Sequence, residues 1–331
     1  MIPVPAPIQA DLAQQFGVEP DALRHFGGGD ASSDGIVCAY PHEQGRRLLK
    51  IMAIPLDNPR RGRLALEERL RFMHYLGEHG ATVAYPQLSP KGHLYETAAG
   101  TAHLWVAYRM DPAPGEAISE HAWDPTFFHR WGQVIGRLHR LARDYPSWRA
   151  AVDPDTGESF LTWENEWQRF YEWCPDNDVK EQWLALKVEL DLLPVERASF
   201  GFIHNDPHIW NLRADGDRIT ILDFDVANHH WFMTDIAIAC QNILIFHSGG
   251  LNGPIRDREK LLAFLDAFLQ GYEREHSLAT TWLNRLDLFI AYRRILLYIA
   301  MQDWVSSQPD LARTWKRLIV DRPCVAGKVR G

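Results

Sequence analysis

The stretch Gly201–Asp225, GFIHNDPHIWNLRADGDRITILDFD, constrains this chain more than any other. An apolar run, Ser199–Ile203, leads into His204-Asn205-Asp206, and Asn211 follows Asp206 by five positions. A polar turn over Arg213–Asp217 separates this from a second apolar run, Ile219–Leu222, which ends on Asp223. The pattern reads as strand, loop, short strand, turn and strand, with acidic groups presented where strands end. Phosphoryl transfer draws on such a set. One carboxylate orients the attacking hydroxyl and takes its proton, while an amide oxygen and another carboxylate hold a divalent cation on the nucleotide phosphates. Asp and Asn are also common in turns. Here, however, three roles fall in order within one short segment.

His204, Asp206 and Asn211 form H-x-D-x-x-x-x-N, and Asp223-Phe224-Asp225 follows on the next strand. This resembles the aminoglycoside phosphotransferase and choline kinase superfamily, small-molecule kinases with a protein-kinase-like fold. The resemblance is strongest over residues 200–240 and weaker, but in the right order, from about residue 26 to 140. It implies an α+β, bilobal fold with a small β-rich N-lobe (residues 1–108), a hinge (109–115) and a larger, mainly helical C-lobe (116–331). It also implies ATP and Mg²⁺, Asp206 as catalytic base beside His204 and Asn211, and Asn211 with Asp223 as metal ligands. Two departures matter. Asn205 stands where protein kinases carry an Arg that pairs with a phosphorylated activation loop, so no phosphorylation switch is expected. Asp225 replaces the Gly of D-F-G, and no A-P-E follows.

Toward the N-terminus, Phe26–Gly35 (FGGGDASSDG) leads into an apolar strand, Ile36–Tyr40. Glycines and small polar residues between strands let backbone N–H groups approach phosphates, which nominates Gly28, Gly29, Ser32 and Ser33. A plain hairpin turn is the competing reading. Lys50 lies in the strand Arg47–Met52 between Leu49 and Ile51. It is either solvent-facing on an alternating strand or a buried ammonium in need of a partner. In the fold that the resemblance implies, it holds the α- and β-phosphates and pairs with a helix Glu. Residues 62–79 form an amphipathic helix with Leu66, Leu70, Met73 and Leu76 on one face. That helix offers Glu68 or Glu67 as the partner, with Glu68 preferred. Ala81–Leu88 and His93–Thr97 read as strands around Ser89-Pro90-Lys91-Gly92. Backbone groups near Tyr108–Met110 meet the adenine edge, as the resemblance implies, so Tyr108 and Met110 join the nucleotide set.

Further on, Phe127–Arg143 is strongly helical, and its His139 is assigned no chemistry. Residues 145–198 are the least kinase-like part, with helices expected over Leu161–Trp173 and Val179–Leu192. Trp163, Trp167 and Trp173 interleave there with acidic residues. This is either a substrate-recognition insert suited to a cation or a helical pair that only packs. Asp235 is expected to cap the helix Ile236–Phe246 and brace the catalytic loop. The adjacent His229 and His230 do not share a helix face and read as structural or rim residues.

The net charge of −8 argues against nonspecific nucleic-acid binding and leaves cationic acceptors open. The four cysteines form no C-x-x-C, the first residues do not read as a signal peptide, and no run is long and apolar enough to span a membrane. The expectation is a cytoplasmic monomer or homodimer with a small-molecule partner. The leading function is an ATP-dependent kinase for a hydroxyl on a small, cationic molecule: an aminoglycoside, an amino alcohol or a hydroxy amino acid. A protein Ser/Thr kinase of the same superfamily and a catalytically inactive nucleotide-binding pseudokinase are the alternatives.

Overall fold

Apolar runs along 45–55 and 103–110, buried continuously over 48–51 and 105–108, build the first sheet, and glycines set how closely its strands approach. The computed structural model describes residues 3–29, 35–43 and 45–327, so Ser32 and Ser33 lie outside the described residues. The chain divides into two compact units. One comprises Met1–Pro114 with Leu222–Asp225, the other Gly115–Ile221 with Val226–Gly331.

The first unit begins with α1 (Ala6–Gln15), then β1 (Arg24–Gly28), β2 (Gly35–His42) and β3 (Gly45–Pro55). It continues with α2 (Pro59–Glu78), β4 (Pro86–Gln87), β5 (Glu96–Ala99) and β6 (His103–Met110). The sheet order is β1-β2-β3-β6-β4, with β5 also paired to β6, and these pairings are antiparallel. Leu49, Ile51, Trp105 and Ala107 pack with Leu12 and Phe16 of α1. Gly28 has φ +68°, and a Cβ there would stand 2.4 Å from the Gly35 carbonyl oxygen. Both the left-handed backbone and the close approach exclude a side chain.

Asn58 caps α2 by accepting from the Arg61 N–H at 3.2 Å, with Pro59 at the first helical position. Leu66, Leu70, Met73 and Leu76 are buried, as the periodicity requires. Two elements differ from expectation. A strand was expected over residues 81–88, but only Pro86 and Gln87 form one, with a lone bridge residue at Val83. The Ala81 N–H returns to Leu76 O at 2.9 Å and wraps the chain onto the end of α2. The strand expected from His93 starts instead at Glu96, because the Ser89 hydroxyl accepts from the N–H groups of Lys91 and His93 and prolongs the turn. Arg109 and Met110, expected in the hinge, are paired in β6 with Leu49 and Leu48.

The second unit opens with β7 (Glu116–Ala117) and α3 (Pro125–Asp144), followed by the hairpin β8 (Ala151–Val152) and β9 (Ser159–Phe160). Next come α4 (Trp163–Trp173), α5 (Asn177–Asp191), β10 (Phe200–Ile203), β11 (Leu212–Asp215), β12 (Arg218–Ile221) and β13 (Asn228–Trp231). The remainder is helical: α6 (Phe232–Asn242), α7 (Arg258–Tyr272), α8 (Thr280–Leu283), α9 (Leu286–Ala300), α10 (Gln302–Ser306) and α11 (Pro309–Asp321). A π-helical turn, Ile243–His247, extends α6. β10 pairs antiparallel with β13, and β11 lies between β7 and β12. No helix among the described residues is long and apolar enough to cross a membrane.

α3 and α7 touch backbone to backbone. A Cβ on Gly132 would stand 1.8 Å from Phe268 O, and one on Gly271 would stand 1.7 Å from His129 O. An exposed helical Gly→Ala change stabilises by roughly 1 kcal/mol. Here the sign reverses, because backbone cannot yield as a side chain can. Gly132→Ala is expected to cost about 2–3 kcal/mol and to lower the melting temperature by roughly 4–12 °C. An unchanged or higher melting temperature would show that the contact is not that close.

Candidate active site

Asp206 stands on a loop built from buried parts. β10 is buried along its length and runs into His204 and Asn205, which are 0% and 3% exposed. Asn205 has φ 65°, a left-handed conformation that Asn tolerates better than most residues. The turn is held by Asp235, inside α6. Its Oδ1 accepts from the Asn205 N–H at 2.8 Å and its Oδ2 from the His204 N–H at 3.2 Å. Oδ2 also accepts from His139 Nε2 at 3.1 Å. Burial lowers the His139 pKa against the pull of Asp235, so the ring is neutral, and the Tyr272 hydroxyl donates to its Nδ1 at 2.8 Å. Phe232 stacks on the same ring at 4.4 Å. The brace expected of Asp235 is present, but its capping role is not: the helix starts at Phe232, and Trp231 at the N-cap makes no side-chain cap bond.

Beyond the turn, the Asp206 N–H donates to His204 Nδ1 at 3.1 Å. Asp206 Oδ1 pairs with Arg293 Nη2 at 2.6 Å, and Oδ2 pairs with His208 Nε2 at 3.1 Å. Asn211 Nδ2 donates to the Asp206 carbonyl at 3.0 Å and reaches Oδ2 at 3.4 Å. Burial alone would raise the Asp206 pKa, but the Arg293 guanidinium and His208 hold it well below the usual carboxylate range. Arg293, on α9, is itself fixed by Gln241 Oε1 at 2.9 Å. The Asp206 side chain remains one-quarter (25%) exposed, so the fixed carboxylate is accessible.

The first unit gathers a second set. Lys50 stands opposite Tyr108 in the β3–β6 register, and both are buried. The Lys50 ammonium pairs with Asp225 and, at 3.4 Å, with Asp223 Oδ1. Burial opposes this charge, yet Tyr108, Asp225 and Asp223 outweigh it and hold the Lys50 pKa above the ordinary lysine value. Two carboxylates share one ammonium, and burial with the neighbouring Asp223 pushes the Asp225 pKa up. Asp223 has φ 61° and a half-exposed side chain (50%). On α2, Glu67 pairs with Arg71 while Glu68 is buried.

The insert packs Trp163 and Trp167 but leaves Trp173 exposed. Trp163 and Trp167 are each 4% exposed, and Trp167 and Trp183 exchange indole N–H to carbonyl bonds, each 3.0 Å. Lys187 lies over Trp163 and Trp167, and Arg169 over Trp173. Each of these three rings thus meets a cation of the chain itself. His229 and His230 are fully buried, not at a rim. Sequence reasoning missed Arg293, His208 and Asp225. The second acid of D-F-D and the His two places after Asp206 were visible signals. Nothing in the sequence ties Arg293 to a loop 87 positions away.

A family model described as the phosphotransferase enzyme family matches residues 27–283. The chain belongs to this family. It is 26% identical over 295 residues to amicoumacin kinase of Bacillus subtilis (strain 168), spanning 88% of this chain and 83% of that protein. A solved amicoumacin kinase, in complex with AMP-PNP, Ca²⁺ and Ami, superposes with a TM-score of 0.80 at 25% identity, covering 95% of this chain and 92% of that one. A microcompartment-associated aminopropanol kinase shares the fold with a TM-score of 0.66 at 17% identity, covering 94% and 93%. The chain is thus a phosphotransferase with the protein-kinase-like fold.

Asp235→Ala would leave two buried backbone N–H groups and His139 without their acceptor. Each buried donor left unpaired costs roughly 1–3 kcal/mol, so the expected loss is about 3–5 kcal/mol, read from the urea midpoint. An unchanged midpoint would contradict the brace.

Proposed function

We propose that the protein transfers the γ-phosphoryl group of ATP to a hydroxyl of a small, cationic acceptor. The observation that carries this reading is the fixed, accessible Asp206 carboxylate with Asn211 bonded to it. Asp206 orients the acceptor hydroxyl and takes up its proton as the oxygen attacks phosphorus. Its depressed basicity suits a transfer in which the proton leaves late and orientation does most of the work. Lys50 neutralises the nucleotide phosphates with Glu68 as its helix partner, Gly28 and Gly29 let the backbone approach them closely, and the strand end at Tyr108 and Met110 meets the adenine. The family membership and the AMP-PNP and Ca²⁺ bound by the solved amicoumacin kinase support ATP and a divalent ion.

Among the described residues, no group of three or more His, Cys, Asp or Glu is arranged to hold a metal by itself. Mg²⁺ at a nucleotide keeps waters and needs only one or two protein oxygens beside the phosphates, and the Asp223 carboxylate and the amide oxygen of Asn211 are of the chemistry it takes. When bound, the ion neutralises charge on the transferring phosphates.

For the acceptor, the second unit offers a surface other than the insert. Trp210 is 45% exposed, its Nε1 donates to Glu120 Oε2 at 3.1 Å, and its ring meets Phe246 and His208 edge-on. His208 also holds Asp206. Phe246 belongs to the π turn, an irregularity frequent at functional sites. Exposed aromatic faces beside a carboxylate suit an ammonium or amino group. The relatives named as amicoumacin kinases support a small-molecule acceptor.

ATP with Mg²⁺ is expected to raise the melting temperature. The gain corresponds to about 2.7 kcal/mol at a hundred times Kd, and Asp223→Ala should abolish the Mg²⁺-dependent part. No shift at millimolar ATP with either Mg²⁺ or Mn²⁺ would overturn the nucleotide assignment.

A further inference from the structure

Asn205 is held from two sides. Its backbone N–H goes to Asp235, and its side-chain Nδ2 donates to Glu166 Oε2 and, at 3.2 Å, to the Val226 carbonyl. Glu166 comes from α4, in the part of the chain least like a protein kinase, and is 7% exposed. Its Oε2 also accepts from Asn228 Nδ2 at 3.2 Å, and its Oε1 accepts from the Tyr292 hydroxyl at 2.9 Å. All three donors are neutral, so hydrogen bonds alone meet this carboxylate directly, and its burial is costly. Burial accordingly pushes its pKa up. The rest of the buried face of α4 is Trp163, Trp167 and Phe170, where an apolar side chain would sit at lower cost.

What this carboxylate grips is specific. Asn205 immediately precedes Asp206 and carries the left-handed φ of 65° that turns the loop. Tyr292 immediately precedes Arg293, whose guanidinium holds Asp206 Oδ1. Glu166 therefore fixes the sequence neighbours of both members of the Asp206–Arg293 ion pair. Asn205 also occupies the position where protein kinases carry the Arg that pairs with an added phosphate. We infer that Glu166 is a positioning residue for phosphoryl transfer: a built-in acceptor that sets the catalytic loop permanently, where a regulated kinase uses a phosphorylated segment. The inference rests on the reading of Asp206 as the group that orients the acceptor.

The test compares Glu166→Gln, Asn205→Asp and the double variant with wild type and Asp206→Asn. Glu166→Gln keeps the shape but replaces one of two acceptors with a donor. ADP release from Mg²⁺·ATP, measured with amicoumacin and separately with water as acceptor, should fall about 10²-fold, as a misplacement of about 1 Å does. The KM for ATP should stay at the wild-type value. Amide exchange in a peptide covering 200–212 should accelerate, while exchange in α3 should not change. Asn205→Asp should lose turnover likewise. The double variant lets the amide at 166 donate to the carboxylate at 205, so turnover should recover above that of Asn205→Asp, short of wild type because the new groups then oppose the Val226 carbonyl and the Asn228 amide. Should Glu166→Gln fail to fold, Asn205→Asp against the double variant decides. Where neither acceptor gives measurable turnover, the exchange data decide. If Asp206→Asn turns over like wild type, the Asp206 role itself fails. If Asp206→Asn is inactive while Glu166→Gln keeps full turnover and unchanged exchange, or if the double variant shows no recovery, the Glu166 inference alone is overturned.

Discussion

The second unit depends on one buried carboxylate. The chain must leave β10, turn through a left-handed residue and present a charged side chain, all from within a packed core. That turn exposes two backbone N–H groups to an interior without water, where unpaired donors are costly. Asp235 accepts both and takes a third bond from His139, so α6, α3 and the loop share one hub. Tyr272 of α7 closes the other side of His139. α7 reaches it because Gly132, Gly136 and Gly271 let the helices meet backbone to backbone. A helix contact in the core and the conformation of a loop residue are thus one packing problem.

Charge is arranged differently in the two units. Around Asp206, the Arg293 guanidinium balances the carboxylate and His208 adds a further donor, so the acid is ionised and fixed at any ordinary pH. Such a group is a weak base and a strong orienting element, and positioning is what phosphoryl transfer chiefly demands. Around Lys50, two carboxylates share one ammonium, with Arg69 acting on Asp225 as well.

The fold and the family were legible in the sequence because they rest on short-range signals. Spacing within Gly201–Asp225, the alternation around Lys50 and the apolar stripe of α2 all lie inside windows of a few turns or one strand. The structure adds what spacing cannot express. Arg293 and Glu166 reach the loop from 87 and 39 positions away, through tertiary packing alone. The tryptophans of the insert stayed open to two readings for the opposite reason. Interleaved with acids, they resemble a cation site, but a helix that buries Trp163, Trp167 and Phe170 on one face shows the same composition. The strand expected over residues 81–88 is short because the return of Ala81 onto α2 outweighed apolar propensity at its start.

The central claim is that Asp206 acts on the acceptor hydroxyl and not on nucleotide binding. Measuring ATP affinity and phosphoryl transfer side by side in Asp206→Asn tests it most directly. The account predicts an unchanged Kd for Mg²⁺·ATP with turnover reduced about 10²–10⁴-fold, the contribution of a positioned base. Wild-type turnover in that variant, or a loss of ATP affinity that accounts for the whole defect, would contradict it.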